Sequence, residues 1–223
     1  MRHFRIAALG LFLACCSFAS SIVADNSFEM LPSGDGNSYS GPGYLYRPTF
    51  ASSLWNWSGS AGIAANGSDF GNANAPDGVQ VAFIQRATGQ IYQDLTGLTV
   101  GERYLVSFDA AQRWNSTTSE NISQGIGFGG TEDFKVLWDG TSIGSFTPTS
   151  TSFATYYTAS FFATAPTARL TFQAIDTLGG DRTAFLDSIQ IKINPTPEPW
   201  NAITLLSGLG VIALGLRRKQ NPV

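Results

Sequence analysis

Cysteine and histidine are almost missing from this chain, which holds two Cys and one His in 223 residues. All three, His3, Cys15 and Cys16, fall within residues 1–24. That stretch opens with Arg2 and Arg5, runs through apolar Ile6 to Phe18 and closes on Ser21-Ile22-Val23-Ala24. A basic start, an apolar centre too short to span a bilayer comfortably and a small final residue are the parts of a secretory signal peptide, with cleavage expected after Ala24. A lipoprotein reading through Cys15 is the weaker alternative, because Phe12 stands where an aliphatic residue is usual. Without residues 1–24 nothing remains for a disulfide framework, a thiol nucleophile, a Cys/His zinc site or a Ser-His-Asp triad. Lysine is scarce as well, with only Lys135 and Lys192 before Lys219. Carboxylate-pair glycosidase chemistry is left open by this composition. Positive charge is also deficient. Residues 25–199 carry eight basic and sixteen acidic residues, a net charge of −8 against −3 for the whole chain. An acidic surface repels nucleic acid and excludes that class of partner. It suits divalent cations, neutral sugars and, most simply, solubility.

Sustained helical periodicity is absent between residues 25 and 194. Short strand-like runs recur instead between turn signals. They are Val79 to Ile84, Gln90 to Leu95, Arg103 to Ala110, Phe134 to Trp138, Thr155 to Phe162, Arg169 to Ala174 and Ala184 to Ile191. Asp139-Gly140 is a tight hairpin signal. About 170 residues suffice for one domain with a real core. About eight strands without disulfides predict an all-β fold, an antiparallel β-sandwich of jelly-roll type. Ser33 to Phe50, Ser58 to Asp77 and Asn115 to Thr131 are rich in Gly, Ser and Asn and predict long loops, where binding usually sits. No internal repeat is present.

The C-terminus has a different character. Residues 195–199 form a linker ending in Pro197-Glu198-Pro199. Trp200 to Leu216 is a mostly apolar run of 17 residues, at the short end for a transmembrane helix. Arg217, Arg218 and Lys219 follow in the basic tail 217–223 and are expected on the cytoplasmic side. A buried core helix is the bland alternative, and the abrupt basic cluster speaks against it. The motif, span and basic end together resemble the PEP-CTERM sorting signal of Gram-negative, biofilm-forming bacteria. The resemblance implies an exosortase-type processing enzyme as partner, at least transient membrane anchoring, and a place in the cell envelope, at the surface or in the extracellular matrix.

A second resemblance covers residues 25–194. Asn26-Ser27-Phe28-Glu29 opens the domain, and Gly101 to Phe108, Ala110 to Arg113 and Val136 to Gly140 follow in order. Ala184-Phe185-Leu186-Asp187-Ser188-Ile189 nearly closes it. This series is similar to the galactose-binding-domain-like jelly rolls, including DUF642-type and carbohydrate-binding modules. It implies a carbohydrate-facing role, with polysaccharide as partner and no required cofactor. In such modules the opening segment and the closing Asp often hold a structural calcium. The matching positions are Asn26, Glu29 and Asp187, and the bland reading makes them turn or strand-end residues bonded to backbone.

Sugar rings stack their C–H faces on aromatic side chains while polar neighbours orient the hydroxyls. Tyr44, Tyr46, Trp55, Trp57 and Trp114 lie in or beside loop-like stretches and are the candidate stacking residues, with Arg113 as polar neighbour. Trp55 and Trp57 are two apart and share one face if extended. For that pair core packing is favoured over ligand binding. Trp138 is expected in the core. Arg113 either meets ligand or pairs with an acid and holds its loop. Among acids, Glu102, Asp109, Glu120, Glu132, Asp133 and Asp139 provide carboxylates, but no motif selects a pair. The leading reading is a noncatalytic, exported protein that binds or organises extracellular polysaccharide. The alternatives are a structural matrix or adhesion protein and a carboxylate glycosidase.

Overall fold

The computed structural model describes residues 22–30, 43–49, 53–116, 128–130, 132–177 and 181–194. Residues 1–21 of the expected signal peptide 1–24, the linker, the apolar span and the basic tail lie outside these residues. So do Pro197, Glu198, Pro199, Arg217, Arg218 and Lys219. No helix among the described residues is long and apolar enough to cross a membrane.

Thirteen strands among the described residues form two antiparallel sheets, which makes the chain a β-sandwich. They are β1 (Tyr44–Tyr46), β2 (Asn56–Ser58), β3 (Ala61–Ala65), β4 (Gln80–Gln85), β5 (Gln90–Thr96), β6 (Arg103–Ser116) and β7 (Phe128–Gly130). Then come β8 (Phe134–Trp138), β9 (Thr141–Phe146), β10 (Ala154–Tyr157), β11 (Phe161–Phe162), β12 (Thr167–Ala174) and β13 (Thr183–Ile193). The larger sheet runs β1-β3-β4-β13-β6-β10, with β7 and β11 also paired to β6. The smaller runs β2-β5-β12-β8-β9. Successive strands pass back and forth between the sheets, as in a jelly roll. Asp139 and Gly140 turn β8 into β9 with positive φ at both residues (47° and 80°), the geometry expected of Asp-Gly.

Alternation along each strand decides which side chains meet between the sheets. Ala82 and Ile84 of β4, Val106 and Phe108 of β6, Ala184 and Leu186 of β13, and Leu170 and Phe172 of β12 fill the interior. The alternation slips once. Between Asp187 and Gln190, β13 carries a bulge, and Ser188 adopts φ 51°. The extra residue keeps both Leu186 and Ile189 in the core although they are three apart.

Residues 58–77, expected as a loop, contain β3. Its Ala-Gly-Ile-Ala-Ala sequence is too small and short to read as a strand alone, and β1 and β4 on either side pair with it. The folded unit also starts upstream of the expected cleavage point. Val23 is buried at 1% exposure. The Ala24 amide donates to Gln93 Oε1 at 2.9 Å, and Gln93 Nε2 donates to the Ala24 carbonyl at 2.8 Å. Cleavage after Ala24 would remove a buried side chain and two hydrogen bonds.

Candidate functional site

The outer face of the larger sheet carries a second apolar cluster, separate from the interior. Val81 and Phe83 of β4, Ala64 of β3 and Phe185 of β13 form its floor, with Tyr44 of β1 packed against them. The loop after β3 lays Phe70 over this floor, 4.3 Å from Phe83 and 4.7 Å from Tyr44 between ring centroids. Asn72 and Asn66 hold the loop shut, one donating to the Ala65 carbonyl and the other accepting from the Ala75 amide. Gly62 makes the close packing feasible. A Cβ there would lie 2.0 Å from the Leu45 carbonyl oxygen and 2.7 Å from Cζ of Phe83.

Tyr46 closes one side of the cluster. Its ring stands edge-on to Phe83 at 4.9 Å, and 39% of the residue faces solvent. Its hydroxyl donates to Gln85 Oε1 at 2.5 Å, and Gln85 Nε2 donates to Thr183 Oγ1 at 2.7 Å. Burial first, and the Asp181 charge second, raise the pKa of this phenol and keep it neutral. Arg113 lies with Cζ 4.3 Å from the Phe70 ring centre. Its Nη1 is 3.4 Å from Asp181 Oδ2, and Arg86 Nη2 reaches Asp181 Oδ1 at 3.7 Å. The site therefore presents an aromatic edge beside two guanidinium groups and a carboxylate.

Beneath this rim lies Glu132, fully buried. Its two oxygens accept the backbone amides of Arg86 and Asp176, each at 2.8 Å. Burial pushes the carboxyl up to about 7, against the two amides that favour its ionised form. Glu132 thus clamps Arg86, which adopts φ 55°, to the segment that follows β12.

Of the residues the sequence singles out, Tyr44, Tyr46 and Arg113 come together here. Arg113 both stacks and pairs with an acid, which is its loop-holding role. Trp55 and Trp57 do not join them. They lie at the other sheet and both pack on Phe28, at 5.2 and 5.9 Å. Trp55 is 2% exposed and donates its indole N–H to the Asp25 carbonyl, so it is core. Trp57 is partly buried against the same core. Trp138 is core as expected, 4.3 Å from Phe161. Trp114 belongs to β6, and its side chain is outside the described part. Sequence reading missed Phe70, Gln85 and Asp181. Phe70 stands alone in a Gly/Asn/Ser-rich stretch, and nothing local marks it as a cover for a sheet.

Asn26, Glu29 and Asp187 do fall in one neighbourhood, held by backbone. The Asn26 carbonyl accepts the Ile189 amide. Glu29 Oε1 accepts the amides of Val79 and Gln80, and Gly78 at φ 81° leaves room for that carboxylate. Asp187 accepts the amides of Asp77 and Ser188. Among the described residues no group of three or more His, Cys, Asp or Glu is placed to hold a metal ion.

Asp109, Asp133 and Asp139 also have partners. Asp109 accepts from Thr155, Asp133 from Thr147, and Asp139 from the Arg169 amide. Glu120 lies outside the described residues.

No protein-family model matches the chain, and no curated protein matches it. Solved structures do. The Stig cyclase Fisc from Fischerella sp. TAU is similar at 16% identity over 79% of this chain and 98% of that chain, with a TM-score of 0.52. TmCBM61, solved with beta-1,4-galactotriose, matches at 11% identity over 79% of this chain and 100% of that chain, with a TM-score of 0.48. The EclA C-terminal domain, a sugar-binding protein, matches at 19% identity with a TM-score of 0.34. That match spans 45% of this chain and 64% of that one. At 16% identity the cyclase likeness speaks for the fold alone, a two-sheet β-sandwich.

Proposed function

We propose that this is a noncatalytic, exported module that binds extracellular polysaccharide through the outer face of its larger sheet. The observation that carries the reading is the grouping of Tyr44, Tyr46 and Phe70 beside Arg113, Arg86 and Asp181. The Tyr46 ring, 39% exposed and backed by the buried Phe70, suits the apolar face of a sugar ring, and charged groups beside it suit hydroxyls. Export rests on the leader sequence, and sorting through Pro197-Glu198-Pro199 rests on the resemblance of the tail.

A glycan array probed with the purified protein tests the binding. Tyr46→Ala is expected to weaken the selected glycan by roughly tenfold, the equivalent of one lost stacking contact. Arg86→Ala, at a side chain 61% exposed, should weaken it less and leave the melt unchanged. No binding by a cooperatively melting protein would move the reading to a structural matrix component.

Calcium is a separate expectation, carried by the second resemblance. The amides at Glu29 and Asp187 already supply what an ion would. A chelator is therefore expected to leave the melting temperature unchanged, whereas a fall of several degrees would restore the calcium site.

A further inference from the structure

We propose that the end of the β-sandwich around Asn194, opposite the candidate site, rests against a lipid bilayer surface. The proposal rests on the reading of residues 200–216 as a membrane segment. It is carried by where the exposed apolar side chains lie. Among the described residues eight large hydrophobic side chains are exposed, and four of them, Val100, Tyr157, Phe162 and Ile193, sit at this end. Each is 58–59% exposed.

Backbone bonds show that these residues converge. Asn194 donates its amide to the Arg103 carbonyl at 2.8 Å and its side-chain amide to Ser160 Oγ at 2.6 Å. Arg103 pairs with Phe162, and Tyr104 pairs with Ile193. The Gly101 amide donates to the Ala163 carbonyl, which brings the turn containing Val100 alongside. Tyr157 and Lys192 meet with Nζ 5.8 Å from the ring centre. Arg103 and Lys192 thus stand beside the apolar group, with Glu102 next to them, on an exported segment whose net charge is −8. Aromatic and aliphatic tips with cations beside them are what the interface between headgroups and acyl chains accepts.

Covalent reach supplies the second argument. Six residue steps separate Asn194 from Trp200, the first residue of the apolar run. Fully extended they span at most about 22 Å. A sandwich tethered so closely, by its own last strand, keeps this end facing the membrane. A patch of this kind elsewhere on the surface would have no such partner within reach.

The test uses the full chain with Cys15→Ser and Cys16→Ser, reconstituted in phosphatidylethanolamine/phosphatidylglycerol vesicles. A fluorophore is attached at Phe162→Cys or, as control, at Thr88→Cys. Thr88 is exposed in the turn after β4, beyond the far end of β13. The ten steps from Thr183 to Ile193 along that strand are about 33 Å. Quenching by spin-labelled lipid is expected to be roughly threefold or more stronger at 162 than at 88, as for side chains ~5–10 Å into the interface. Carbonate extraction is read on the same samples. Carbonate-resistant protein quenched equally at both positions, weakly or strongly, overturns the docking and leaves the anchor standing. Protein released by carbonate overturns the anchor and the docking with it. Both labelled variants must first melt as the parent does, which their exposure predicts.

Discussion

Phe28→Ala is expected to lower the unfolding free energy by about 3–5 kcal/mol, the usual range for deleting a buried aromatic ring. Phe28 is fully buried, and its ring fills the space between Trp55 and Trp57. Few neighbours are free to collapse into the hole. Trp55 is tied through its indole N–H to the Asp25 carbonyl, and Trp57 through its own to Ser53. The backbone here is also committed. Phe28 adopts φ 65°, donates its amide to the Asp25 carbonyl at 3.1 Å and accepts the Gln80 side-chain amide. Urea unfolding of parent and variant measures the loss. Met30→Ala, two residues on at a side chain 54% exposed, is the control and should be nearly neutral. A loss below about 1 kcal/mol for Phe28→Ala, within the range of ordinary surface substitutions, would show that the opening segment is not part of the core.

Glu132→Ala is expected to cost about 2–4 kcal/mol, because it leaves two buried backbone N–H groups without acceptors. It should also weaken glycan binding, since Arg86 loses the bond that sets its turn. A second signature is pH dependence. The folded-state pKa is raised from the ordinary 4.5 to about 7, so the folded protein binds the extra proton between those values. Stability from this group is fully present below about 4.5, falls as pH rises toward 7 and is flat above it. The span corresponds to about 3 kcal/mol at most. Melting temperatures of parent and variant across pH 4 to 8 should therefore converge as pH rises. Parallel curves would mean that Glu132 stays ionised throughout, held by its two amides.

Much of the sandwich was legible in the residues. Strand-like runs between turn signals marked β4, β5, β6, β8, β12 and β13, and Asp139-Gly140 marked its hairpin. The bulge in β13 is visible too, once known: Leu186 and Ile189 are both apolar yet three apart, which breaks the alternation. What was not legible came from partners distant in sequence. β1 exists because it pairs with β3, and β3 because it pairs with β1 and β4, while their own composition says loop. Phe70 matters only because its loop folds back over Phe83. The grouping of Tyr44, Tyr46 and Arg113 was readable as residue types, but the Asp181 that joins Arg113 to Arg86 was not. Trp55 and Trp57 illustrate the limit of spacing arguments. Two residues apart does put both on Phe28, and only the fold reveals that this side is the interior.

β13 passes through the middle of the larger sheet, bonded to β4 on one side and β6 on the other, and its last residues lead directly toward the tail. A pull between bound polymer and an anchored tail would run along this strand. Its hydrogen bonds lie across that direction. They are loaded in shear, and many must give way together, unlike the one-by-one opening of a peeled edge. A central strand loaded in this way would not peel as an edge strand does.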